Sequence, residues 1–156
     1  MKYYEILDRV SCNFRLDING IHGLKHWQRV WENGQRVAEE IHKTNPGAVD
    51  LEVVELFAWL HDSERDNDDG DYFHGQRAVN LLDRMIRKKQ LVITESQRNT
   101  LITALAFHSD GLMDNSSNER TIQTCWDADR LDLTRCGIVP DPRLLSKEAA
   151  SLLVKV

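Results

Sequence analysis

An all-α fold, a compact single-domain bundle of about six or seven helices, is what this chain predicts. Three observations carry that prediction. Apolar residues recur at three- and four-residue spacing in every long segment, and alternating strand-like runs are scarce. The three prolines, Pro46, Pro140 and Pro142, fall at natural breaks rather than inside periodic stretches. A chain of 156 residues suits one domain with one sizeable core, here residues 1–156.

A short first helix is expected over about Lys2 to Cys12. A long second one runs from about Gly23 to Lys43; its apolar stripe is Trp27, Val30, Trp31, Val37, Ala38 and Ile41, and Asn45-Pro46-Gly47 ends it. The third, about Ala48 to His61, is apolar nearly all round and so belongs at the centre. Asp62 to Asp71 reads as a loop rich in Asp, Asn and Gly. A fourth helix covers about Phe73 to Lys88. The fifth starts at a Thr94 cap and ends near His108, before Gly111. The sixth runs from about Asn118 to Leu133, and Ser146 caps a short last helix over about 146–154.

Composition narrows the function classes. The net charge of -5 argues against nucleic acid and anionic membranes as partners, while leaving a small anionic substrate open, because a bound metal inverts local charge. Cys12, Cys125 and Cys136 are odd in number and form no CxxC pair, which speaks against a disulfide scaffold and suits a reducing cytoplasm. Met1 to Arg9 has no apolar leader character, and no apolar run approaches the ~20 residues of a membrane span.

Chemistry is sought where polar groups sit on buried faces, because burying a charge is costly unless it is paired or metal-bound. Asp129 falls in the middle of the sixth helix's stripe of Ile122, Cys125, Trp126 and Leu133, whereas Asp127 lies off it. A helix carboxylate paired with an arginine would explain Asp129 equally well. His108 shares a face with Leu101, Ala104 and Leu105, and His26 flanks the second helix's stripe beside Val30. Asp62, at the negative end of the third helix, would be relieved by a nearby cation. Together His26, His61, Asp62 and Asp129 offer two imidazoles and two carboxylates, a donor set suited to Mn, Fe, Co, Ni or Zn. His74 and His108 extend the set, and His22 stands four residues before His26. His42, at the far end of the long helix, reads as surface.

These residues resemble a known signature. The order His26, His61-Asp62, Asp129 is similar to the H…HD…D pattern of the HD-domain phosphohydrolases, and the segments HWQRV, FAWLHD and DADRLD resemble its local contexts. FHGQRAV and LAFHSDG, with His74 and His108, look like the extra histidines of members that hold a second metal. The resemblance covers about residues 20–137. It implies an all-α metal-dependent phosphohydrolase that cleaves a phosphoester or phosphoanhydride of a small molecule, by default a nucleotide, using hydroxide activated by one or two divalent ions (Mn, Co, Ni, Fe, Mg or Zn). Asp62 would orient and bridge the ions, with His26, His61 and Asp129 completing the ligands. The pattern departs where several members carry an acid three residues after the HD aspartate; here Arg65 stands there, followed by Asp66. Asp66 or Glu64 then becomes the candidate base, unless a metal-bridging hydroxide needs none; Arg65 becomes a phosphate grip, Arg130 a weaker one, and His22 a substrate contact, a proton donor to the leaving oxygen or a cap of the helix start. The rival expectation is a non-catalytic metal- or nucleotide-binding interaction module. A homo-oligomer is compatible with either.

Overall fold

The computed structural model describes residues 1–111 and 120–154. Among these residues there are seven α-helices and two short 3₁₀ turns, and no strand. The helices are α1 (Tyr4–Asn13), α2 (Leu24–His42), α3 (Leu51–Leu60), α4 (His74–Arg87), α5 (Glu95–Phe107), α6 (Arg120–Arg130) and α7 (Lys147–Leu153). None is long and apolar enough to cross a membrane.

Local capping explains most of the boundaries. The α3 helix begins at Leu51 rather than Ala48 because the Asp50 carboxylate accepts from the amides of Glu52 and Val53; such a cap contributes about 1 kcal/mol. Thr94 and Gln97 form a reciprocal capping box at α5. Ser146 accepts from the Ala149 amide and starts α7 as the sequence predicts. The sixth helix stops at Arg130, short of the Leu133 expected, and the chain tightens into a 3₁₀ turn over Leu133–Cys136. Gly137, at φ 73, closes that turn in a left-handed conformation that a glycine adopts without strain. The expected start at Asn118 lies outside the described residues.

The central helix is α3, as its all-round apolarity predicts: Val53 through Leu60 are all buried, including Glu55. An isolated buried carboxylate costs several kcal/mol. Glu55 is not isolated, because the amides of Lys2 and Tyr3 donate to it at 2.8 Å each and so fix the start of α1 against α3. Around this axis α2 packs on both α3 and α6, and α4 leans on α5. Two helical glycines permit close approaches between helices. A Cβ at Gly34 would lie 2.4 Å from a Val54 methyl, and one at Gly75 would lie 2.5 Å from the Leu105 carbonyl oxygen.

The helix ends position the candidate residues. The C-terminal ends of α3, α5 and α6 and the N-terminal ends of α2 and α4 carry His61, His108, Asp129, His26 and His74. Those side chains meet at one end of the bundle. Three helix C-termini, each with a partial negative charge, therefore face one region.

Gly75→Ala should cost more stability than Gly34→Ala in denaturant titrations. Alanine's helix propensity returns about 1 kcal/mol at both sites. At Gly34 the obstacle is a Val54 side-chain methyl, which moves only with a change of χ1, whereas at Gly75 it is backbone, which has less room still to give, and about 1–3 kcal/mol of overpacking is expected there. A smaller loss at Gly75 than at Gly34 would contradict this packing.

Candidate metal centre

Each histidine of the cluster is oriented by what its Nδ1 touches. His61 follows α3 directly, and its Nδ1 lies 3.2 and 3.1 Å from the carbonyls of Phe57 and Ala58. His108 follows α5 in the same way, with Nδ1 2.8 Å from the Leu105 carbonyl. The Ala58 and Leu105 carbonyls are among those a helix C-terminus leaves without a backbone donor, while that of Phe57 also accepts the His61 amide at 2.9 Å. His74 turns its Nδ1 to the Asp71 carbonyl, and His26 turns its own to Asp132, 2.8 Å away. A carbonyl or carboxylate only accepts, so every Nδ1 donates and every neutral ring keeps a lone pair on Nε2.

Those lone pairs face each other. The Nε2 atoms of His26 and His61 are 2.9 Å apart, and those of His74 and His108 are 2.8 Å apart. Two acceptors at that distance repel unless a proton or a cation lies between them. Asp62 sits between the two pairs and divides its oxygens. Oδ2 is 3.5 Å from His26 Nε2 and 3.8 Å from His61 Nε2, while Oδ1 is 3.3 Å from His74 and 3.7 Å from His108. Asp129 Oδ1 lies 3.4 Å from His26 and 3.9 Å from His61, buried with no hydrogen-bond partner. Two donor groups result, His26–His61–Asp129 and Asp62–His74–His108, with the ligand atoms of each within 4.8 Å of one another. These buried groups could hold a metal ion. Both are cysteine-free mixtures of nitrogen and oxygen, a set that fits divalent first-row metals.

Titration follows the same logic. Burial pulls His61 down to about 3, so its ring is neutral near pH 7. Burial also pulls at His26, but its bonds to Asp132 and Asp62 outweigh that and leave it raised. For His108, burial is likewise outweighed by Asp62 and Asp129, and the net shift is upward. Burial would raise Asp62, yet the imidazoles around it hold it well below the usual carboxylate range. Asp129, also buried, is held low by His61, His26 and Arg135.

The four expected ligands and both extension histidines thus come together. His22 joins them from the entry of the second helix, as anticipated, but its side chain makes no cap there. The α2 helix starts only at Leu24, so His22 lies in the preceding turn, where its Nδ1 is 2.7 Å from Asp62 Oδ2 and its Nε2 3.3 Å from the Asp68 carbonyl. His42 is half-buried rather than on the surface, and its Nε2 has no partner.

Other expectations need correction. Asp66 is exposed and pairs with Arg15 and Arg77, and Glu64 is held by Arg15 at 3.0 Å; neither reaches the cluster. The acidic loop needs counter-charges, and these arginines from α4 and the chain after α1 supply them. Arg65 does turn inward, but its guanidinium is occupied. Nη2 donates to the Asp69 carbonyl at 2.6 Å, Nε to that of Asn67 at 3.2 Å, and Nη1 lies 3.4 Å from Asp62 Oδ1. Arg130, expected on an exposed face, is buried; Nη1 donates to the Leu144 carbonyl at 2.7 Å, while Nη2 has no partner.

Two residues escaped the sequence reading. Asp132 orients His26 and is itself gripped by Arg29 through bonds of 2.6 and 3.0 Å. Such an outer carboxylate fixes the tautomer and raises the basicity of a ligating imidazole. Arg135 donates to the Ile21 carbonyl at 2.9 Å, and its Nη2 approaches Asp129 Oδ1 at 3.6 Å. The available signal was spacing alone: both follow Asp129 at three-residue steps. A cavity of about 290 Å³ opens onto the cluster, lined among others by His22, Asp62, Arg65, Asp129, Arg130 and Arg135.

No family model matches the chain, and no curated protein or solved structure matches it significantly.

Asp127 points away from the cluster, as its face predicts, but it is buried. It accepts from Gln123 at 2.6 Å and from the Ser146 amide at 3.2 Å, tying α6 to the start of α7. Burial pushes its carboxyl from 3.8 to about 6 despite those bonds. A folded value above the unfolded one means the native state takes up a proton, so this group favours folding at low pH and loses that contribution as pH rises through about 6. Asp127→Asn should therefore gain in Tm relative to the wild type as pH rises from about 4 to about 8. A difference in Tm that stays constant across that range would refute the assignment.

Proposed function

We propose that this chain is a metal-dependent phosphohydrolase of the HD type, with two divalent ions bridged by Asp62. The observation that carries the reading is the pair of face-to-face Nε2 contacts with one carboxylate oxygen directed at each. His26, His61, Asp129 and Asp62 Oδ2 would hold one ion; His74, His108 and Asp62 Oδ1 would hold the other. The order H…HD…D along the chain supports the same reading. Bound divalent ions supply an activated water and polarise a phosphoryl oxygen.

The remaining work falls to the chain's own groups. Arg65 and His22 hold Asp62 from two sides and keep its oxygens divided between the two sets of donors. Asp132, clamped by Arg29, keeps the His26 proton on Nδ1. The phosphate grip is best assigned to Arg130. Its side chain lines the cavity and its buried Nη2 has no partner, whereas each nitrogen of Arg65 already has one. Asp129 and Arg130, each with a buried polar atom that lacks a hydrogen-bond partner, thus line one cavity with opposite charges, one suited to a cation and the other to an anion. Arg135 adds positive charge beside Asp129. The substrate class is a small phosphorylated molecule, with nucleotides first to be screened.

The direct experiment is metal analysis of the purified chain, followed by a phosphatase screen over a nucleotide panel with Mn, Co, Ni, Mg and Zn. Metal-dependent phosphate release is expected; no bound metal and no release with any ion would refute the reading. Asp62→Ala should lose that activity while circular dichroism stays helical, and wild-type turnover with metal still bound would dismiss the bridging role. Arg130→Ala should lower kcat/KM about 10- to 100-fold, in keeping with about 1.5–3 kcal/mol for a charged hydrogen bond, with metal content unchanged. If Arg65→Ala alone shows that pattern and Arg130→Ala does not, the grip belongs to Arg65.

A further inference from the structure

A second cavity, of about 340 Å³, lies away from the histidines, between α1, α4 and the turn that follows Asp62. Its floor is apolar: Val10 and Met85 are buried and Leu81 is packed on the core. Its rim is basic. Arg9 comes from α1, Arg84 from the last turn of α4 and Lys88 from the residue that caps it. None of these three forms an ion pair or a side-chain hydrogen bond among the described residues. The single carboxylate on the wall, Glu64, is already taken by Arg15.

Charge balance makes this arrangement informative. Acids outnumber bases, 25 to 20, so counter-charges are plentiful, and most other arginines of the fold have found one. Arg84 and Lys88 stand four residues apart, a like-charge spacing that weakens a helix. Arg84 stands in the last turn of α4 and Lys88 is its C-cap, places that the helix dipole favours, which accounts for two of the cations. Nothing in that dipole accounts for Arg9, which arrives from another helix at the same concavity. A cleft lined by one sign of charge over an apolar floor concentrates field and attracts ions of the opposite sign. Its volume lies within the range of small-molecule sites.

We propose that this cavity is a binding site for a small polyanion, a metabolite carrying two or more phosphate or carboxylate groups on a short apolar body. Its wall offers no histidine and no free carboxylate, so the site binds without chemistry. Ser63 and Glu64 form part of that wall and continue directly from Asp62, so the ligand sits against the turn that presents the bridging carboxylate. This places an effector, rather than a substrate, in the cavity.

The test is calorimetric titration of the full chain, as purified, with inorganic pyrophosphate. The comparison set is the wild type, Arg84→Glu/Lys88→Glu, Arg9→Glu and Arg130→Ala. The reversed residues are exposed, and circular dichroism checks that each variant folds. Wild type should show a binding event that weakens about tenfold or more in both charge-reversal variants and persists in Arg130→Ala. An event unchanged by charge reversal would overturn the proposal. So would loss in Arg130→Ala alone, which would assign the event to the histidine cavity. Absence of binding up to about 10 mM would overturn it as well. None of these outcomes depends on whether the chain hydrolyses a phosphate.

Discussion

Everything at the histidine-rich end of this bundle depends on burying one carboxylate, Asp62, between two pairs of imidazoles. A carboxylate taken out of water loses several kcal/mol of hydration unless partners replace it. Here the partners come from every direction: His22 at 2.7 Å, Arg65 at 3.4 Å, and the four Nε2 atoms between 3.3 and 3.8 Å. The imidazoles are aimed by backbone rather than by chance packing. Helices must end with unpaired carbonyls. When a histidine is the first residue past the end, as at His61 and His108, its Nδ1 satisfies them and its Nε2 is driven toward the centre. The same few hydrogen bonds therefore terminate the helices and orient the candidate ligands.

Arginine distribution follows from that burial. The loop after Asp62 is strongly acidic, and its charges lie close to a centre that already holds two carboxylates. Arg15 and Arg77 neutralise Asp66 and Asp71 on the outer side, and Arg65 ties the loop's carbonyls on the inner side. This is why Asp66, one residue beyond Arg65, is unavailable as a base. Across the site, Arg29 and Arg135 support Asp132 and the chain that leaves α6. The early end of α6 at Arg130 belongs to the same arrangement. The chain departs from α geometry where Asp132 reaches back to His26 and Arg135 reaches Ile21.

Close approach is the second constraint. His74 can meet His108 only if α4 lies directly on the end of α5, and Gly75, next to His74, makes that possible by presenting no side chain to the Leu105 carbonyl. Leu105 is also the residue whose carbonyl holds the His108 ring. One backbone oxygen thus sets both the spacing of the two helices and the orientation of one of the histidines between them.

The sequence by itself determined the helices and the candidate ligands. Helical class, the central position of α3 and the caps at Thr94 and Ser146 are encoded within a turn or two, because periodicity and capping are local. His26, His61, Asp62 and Asp129 were legible for a related reason: polar groups on apolar faces stand out, and their order along the chain resembles a known pattern. What joins helices to one another was not legible. Asp132 and Arg135 stood at suggestive spacing, but only the meeting of α6 with α2 gives Asp132 a partner in His26, 106 residues away. The difference in side-chain partners between Arg65 and Arg130 is of the same kind. Both are arginines near a candidate site in the sequence. Which one keeps an unpaired nitrogen depends on carbonyls at Asn67, Asp69 and Leu144, whose directions are set by tertiary packing and carry no signature in residue type.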